Sequence, residues 1–133
     1  MGAAPFQELA YLYTPSKDVA GDARLFADLM GAKIAFAVEG MGARVAMLQL
    51  TETPPHVLLT DHLEGDRPIY VYRVDDLPTA AAALRKRGLA DETKLELPMG
   101  PCISFTTSSG HRIALYEASR PNVLEHFLGR QDF

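Results

Sequence analysis

The chain states one pattern twice. Glu8-Leu-Ala-Tyr-Leu-Tyr13 reads as a strand and leads into an acid-led helical stretch that opens near Asp18 and closes at Gly31. Ile69-Tyr-Val-Tyr-Arg-Val74 repeats this before a helical stretch that opens at Asp76 and closes at Gly88. Three further strand-like runs follow in each half. An internal duplication constrains the fold more than any single motif, because each copy must bury an apolar face that it cannot bury alone.

Period decides the element types. Val19, Ala23, Phe26, Ala27 and Met30 recur at helical spacing, as do Leu77, Ala80, Ala81 and Leu84, so each helix has one apolar stripe to lay on a sheet. Gly31 and Gly88 supply left-handed stops, and Pro78 falls in a first turn where its missing N–H costs little. Asp75 and Asp76 resemble a paired carboxylate, but helix capping accounts for them. After the first helix, residues 33–38, 44–50 and 56–60 read as strands, broken by Gly40-Met41-Gly42 and by Thr53-Pro54-Pro55. After the second, 94–97, 102–107 and 111–117 do so, broken at Met99-Gly100-Pro101 and Ser108-Ser109-Gly110. Each half is therefore βαβββ: module one spans 6–62, module two 67–118, and a tail, 119–133, carries a short helix with Val123, Leu124 and Phe127 as its docking side. Residues 61–68 form a polar linker.

The 133 residues suit one domain with a working core. A net charge of −4 excludes a nucleic-acid surface, which needs a basic stripe. Arg85-Lys86-Arg87 sits at a helix end, where cations offset the helix dipole. No long apolar run or charged-then-apolar leader is present, so no membrane span is expected and a cytoplasmic location is the default. A single cysteine, Cys102, excludes an intrachain disulfide and a cysteine-based metal knuckle. There is no G-x-S-x-G elbow, and Gly40-Met-Gly42 joins two strands instead of opening a helix as a phosphate loop would.

Two phrases carry a family resemblance. Arg73-Val-Asp-Asp-Leu77 before an alanine-rich helix resembles the second-module opening of the glyoxalase / bleomycin-resistance / dioxygenase (vicinal oxygen chelate) superfamily. Pro98-Met-Gly100, Ser104-Phe105 and the run from Ser108 to Glu117 resemble its closing hairpin. The resemblance covers roughly residues 6 to 118. It implies an α+β fold in which two βαβββ modules form an open, U-shaped mixed β-sheet barrel with helices outside. Metal-dependent members place a His or Glu ligand on the first and last strand of each module. Carried onto this chain, those positions are Glu8, Leu58, Ile69 and Ala114, and only Glu8 can ligate. One carboxylate is too few for a catalytic ion. A shift of register does not help, because the neighbours of Ile69 and Ala114 are also non-ligating. The expectation is no metal and no cofactor.

Strand alternation selects the groove lining. Glu8, Ala10 and Leu12 are assigned inward on the first strand, with Tyr11 and Tyr13 turned to helix one. Ile69, Val71 and Arg73 face in on the fifth; Cys102, Ser104 and Thr106 on the seventh; Arg112, Ala114 and Tyr116 on the last. His56 shares a face with Leu58, whereas His62, His111 and His126 fall in the linker, beside a turn and in the tail. The groove so drawn has an apolar floor with Glu8, His56, Arg73, Ser104, Arg112 and Tyr116 as its polar groups, the usual character of a small-molecule site. Each has a plainer role open to it: Glu8 as half of an ion pair, Tyr116 as a barrel filler, Cys102 as a buried filler with no activating base.

The leading expectation is metal-independent binding of a small organic molecule between the modules. The alternative is a lyase, isomerase or dioxygenase with Glu8 as metal ligand or general base. A third is an interaction module with a degenerate barrel. A homodimer is expected, as family members often pair or exchange modules.

Overall fold

A computed structural model of the chain describes residues 5–40 and 42–133. The turn expected at Gly40-Met41-Gly42 falls partly outside them, at Met41. Elements run β1 (Glu8–Pro15), α1 (Val19–Met30), β2 (Lys33–Gly40), β3 (Ala43–Gln49), β4 (His56–Thr60), β5 (Ile69–Val74), α2 (Leu77–Lys86), β6 (Thr93–Leu97), β7 (Gly100–Thr106) and β8 (Arg112–Glu117). The duplicated βαβββ order is thus the observed one, and a short 3-10 helix, Pro121–His126, follows it. None of the described helices is long and apolar enough to cross a membrane.

Both helices start on the acids that the repeat puts there. The Asp18 carboxylate accepts from the Gly21 N–H at 3.0 Å, and that of Asp76 from the Thr79 N–H at 3.0 Å. Gly31 closes α1 at φ 74°, its N–H donating to the Ala27 carbonyl at 3.1 Å.

The eight strands form one mixed sheet in the order β2-β3-β4-β1-β5-β8-β7-β6. Within each module the first strand lies parallel to the last, β1 with β4 and β5 with β8. The modules join within one chain through the antiparallel pair β1–β5. Strands far apart in this order, β2 and β7, contribute Phe36 and Cys102 to one buried cluster, so the sheet curls around a concave face. On the convex side Val19 and Ala23 of α1 pack over Ala37, Ala46, Leu48 and Leu59. There too, Leu77, Ala80 and Ala81 of α2 pack over Val74, Ile103 and Leu115. The helices therefore lie outside.

One phase assignment is corrected. The β1–β5 register pairs Glu8 with Arg73 and Leu9 with Tyr72, then slips so that Tyr11 stands opposite Val71 and Tyr13 opposite Ile69. The extra residue, Ala10, is a β-bulge, and a one-residue insertion turns every later side chain to the other face. Glu8 faces inward as the alternation predicts, but Tyr11 and Tyr13, not Leu12, follow it into the concave cluster. On β3 Val45 and Met47 face in, Ala46 and Leu48 out.

The sequence also reads a break where β7 already runs, at Gly100 and Pro101. Pro101 is tolerated because it pairs with Glu96 of the edge strand β6. On its other side the β7–β8 ladder starts only at Cys102–Tyr116, so the missing N–H interrupts no ladder bond there. Gly100 has φ 156°, and a Cβ there would meet the Glu117 carbonyl oxygen at 1.8 Å, so no larger residue fits.

The tail crosses from module two to module one. Leu124 and Phe127 pack against the concave cluster, so the tail docks on its own chain. Beyond them the chain runs along the free edge of β2: the Gly129 N–H donates to the Ala35 carbonyl (2.8 Å), that of Ala37 to Arg130 (2.8 Å), and that of Asp132 back to Ala37 (2.7 Å).

Candidate functional site: the concave face at the module seam

Strand register rules the concave face into rungs across the seam. On the first, Glu8 stands beside Arg73, Arg73 beside Tyr116, and Tyr116 beside Cys102. On the second come His56, Tyr11, Val71, Ala114 and Ser104. On the third come Leu58, Tyr13, Ile69 and Arg112. All ten residues picked from sequence therefore lie on these rungs, Glu8 at the start of β1.

The polar groups concentrate on the first two rungs. Arg73 Nε lies 3.5 Å from Glu8 Oε1, and its NH1 reaches Asp75 Oδ1 at 3.7 Å. Glu8 and Arg73 are both partly exposed, so this pairing orients them more than it stabilises the fold. The Tyr11 and Tyr116 rings tilt against each other with centroids 6.2 Å apart. Burial is the main cause that pushes both phenols above their ordinary pKa; the nearby Arg73 charge partly offsets it for Tyr116. Both hydroxyls therefore remain protonated hydrogen-bond donors at neutral pH. That of Tyr11 also approaches Met99 Sδ at 3.5 Å. Beside Tyr11, the buried Nδ1 of His56 has no hydrogen-bond partner among the described residues, and such an orphan is a place where a ligand atom would be welcome.

Other assigned residues have structural work. Arg112 donates from NH2 to the Arg67 carbonyl at 2.6 Å, fixing the linker instead of reaching over the groove. Cys102 is buried, and burial pushes its thiol up to about 11, which leaves it a poor nucleophile. His62, in the linker, is bonded to the Tyr13 hydroxyl.

The donor set does not fit the metal that metal-dependent members of the resembled family hold. Of the four carried-over positions, Leu58, Ile69 and Ala114 offer hydrocarbon, and the fourth, Glu8, is engaged by Arg73. Among the described residues no cluster of three His, Cys, Asp or Glu side chains could hold an ion.

Sequence reasoning missed the aromatic half of the face. Tyr11 and Tyr13 were hidden by the bulge, which an alanine does not announce. Phe36 and Met99 come from a second strand and a turn, where no periodicity aims a side chain; Leu124 and Phe127 are legible as the tail's docking side, but not the face on which they dock. Leu124 and Phe127 cover part of the concave face. Two cavities, of about 400 Å³ beside α2, β6 and β7 and about 210 Å³ beside α1 and the chain end, lie on the helix side of the sheet.

No family model and no curated protein matches this chain by sequence. Solved structures do match in shape. The methylmalonyl-CoA epimerase of Mycobacterium tuberculosis superposes with a TM-score of 0.73 at 15% identity, covering 93% of this chain and 96% of that one. The Streptomyces coelicolor methylmalonyl-CoA epimerase, in complex with 2-nitronate-propionyl-CoA, gives 0.68 at 16% identity, with 86% and 99% covered. A methylmalonyl-CoA epimerase in complex with methylmalonyl-CoA and an ammonium ion gives 0.68 at 16%, with 86% and 96% covered. These proteins belong to the superfamily that the repeated halves resemble. The chain carries the glyoxalase-like fold of the vicinal oxygen chelate superfamily.

Proposed function

We propose that the concave face binds a small carbonyl compound and moves a proton at the carbon beside its carbonyl, an isomerase-type reaction. The observation that supports this most is the first rung, where a carboxylate, a guanidinium and a protonated phenol stand side by side at the seam. Glu8 takes the proton from carbon. The negative charge that develops on the carbonyl oxygen is met by the Tyr116 O–H and Arg73, donors already in place before reaction. Once the planar enolate has turned over Glu8, the same carboxyl returns the proton to its other face, which inverts the carbon. His56 Nδ1 offers the ligand one further hydrogen bond on the adjoining rung. Likeness in fold to epimerases is an analogy that agrees with this reading and does not carry it.

The test is proton exchange. Methylmalonyl-CoA, the ligand of one structural neighbour, is incubated with the protein in D₂O after treatment with chelator, and deuterium at the carbon between its two carbonyls is followed by NMR. Exchange well above the rate without protein, lost in Glu8→Gln, is the expected result. Absence of exchange with the wild type would sink the proposal for thioesters of this kind.

A second reading, a ligand holder without chemistry, is favoured by a specific feature: hydrocarbon occupies three of the four carried-over ligand positions. Saturable binding of methylmalonyl-CoA by calorimetry, with no exchange, would select it.

A further inference from the structure

The two modules treat their outer sheet edges differently. β2 and β6 hold equivalent places at the two ends of the sheet. The edge of β2 is occupied by the tail's own backbone through Ala35 and Ala37. The edge of β6 has no strand against it among the described residues. Such an edge is a template for another strand unless something blocks it.

We propose that β6 is a self-pairing edge, and that its occupant is β6 of a second copy of this chain. Three observations point there. The Gln7 N–H donates to the Arg73 carbonyl, so Arg73 faces β1, and alternation carried through the β5–β8, β7–β8 and β6–β7 registers makes Glu96–Pro101 a pair without cross-strand hydrogen bonds. The backbone N–H and C=O of Glu96, and of Lys94 two residues before, therefore point out of the sheet, ready to bond. Next, the strand is Thr93-Lys-Leu-Glu-Leu97. An antiparallel two-fold centred on Leu95 sets Lys94 of each copy opposite Glu96 of the other. Centring on Lys94 or on Glu96 would set like charges face to face, so among the registers centred on the middle three residues of the strand charge selects this one. Last, Leu95 is 45% exposed, and the two-fold buries it against its own counterpart. The partner-facing groups are thus outward backbone at two residues, two reciprocal ion pairs and one leucine pair. The ion pair of Glu96 with Arg120 at 2.7 Å is compatible with this, as both partners are exposed.

The result is one continuous sheet through two chains. The inference stands apart from the proposed chemistry, because no residue of the polar rungs takes part.

Sedimentation equilibrium on the full chain tests it with Lys94→Glu, Glu96→Lys and the double exchange, their folding checked by circular dichroism. Wild type is expected to be a dimer whose dissociation constant rises at least tenfold in each single variant, where like charges meet. The double exchange restores opposite charges and should restore the dimer. A monomeric wild type overturns the proposal. So does a dimer indifferent to the single substitutions, which would place the contact elsewhere. A double exchange no better than the singles also overturns it.

Discussion

Phe127 of the tail lies against Phe36 of β2, ring centroids 5.7 Å apart and inclined by 44°. Phe36 belongs to the buried concave cluster and Phe127 to a segment that follows module two, so this contact ties the chain's last segment to its first half. Phe127→Ala should cost about 2 kcal/mol, below the range for a fully buried aromatic because the ring is half-buried. The measure is the urea midpoint, accompanied by increased binding of a hydrophobic dye as the concave face opens. An unchanged midpoint would mean that the tail contributes nothing to the folded state.

Alkaline pH should weaken the fold, and Cys102 fixes where. Its thiol goes from an ordinary 9.0 up to about 11 because of burial. The folded state then holds the proton more tightly than the unfolded chain, so its contribution is complete below pH 9.0 and is lost as pH rises through about 11. Integrated over that window, the loss is about 2–3 kcal/mol. Tyr11 acts in the same direction from 10.0 upward. Stability curves against pH should be flatter in Cys102→Ala above pH 9, whatever the offset from lost volume.

Gly100→Ala should destabilise severely. The added methyl meets backbone, the Glu117 carbonyl oxygen at 1.8 Å, which cannot swing aside as a side chain would. A loss of about 3 kcal/mol or more is expected from overpacking with backbone strain, visible as a fall in melting temperature. An ordinary surface glycine would show no such change.

Arg73→Met separates orientation from stability. Its partner Glu8 is partly exposed, so unfolding free energy should change by less than about 1 kcal/mol. Proton exchange on methylmalonyl-CoA should fall at least tenfold, because the developing oxyanion loses a charged donor. Equal exchange in both proteins would remove Arg73 from the site.

What the sequence discloses follows from how local each cause is. Capping by Asp18 and Asp76 and the stop at Gly31 are neighbour effects, and the helices fall where they predict. Alternation places Arg73, Cys102, Ala114 and Tyr116 on the correct face because β5, β7 and β8 are regular. It fails on β1 after Ala10, where a single inserted residue has no compositional mark. Convergence of Met99, Leu124 and Phe127 on the groove depends on how the sheet curls, which no local pattern encodes. Pro101 reads as a breaker because a strand tolerates proline only at places defined by its partner, and that partner, Glu96, is five residues and one turn away.

The bulge at Ala10 also makes the two halves unequal in a way that the backbone trace conceals. An exact duplication would offer a bound molecule the same groups from either side of the seam. Here β1 offers phenols and β5 offers Ile69 and Val71, so the groove is not two-fold symmetric. A ligand seated across the seam would meet hydroxyls on one side and hydrocarbon on the other, and so has one way round to lie where an exact duplication would have given it two equal ones.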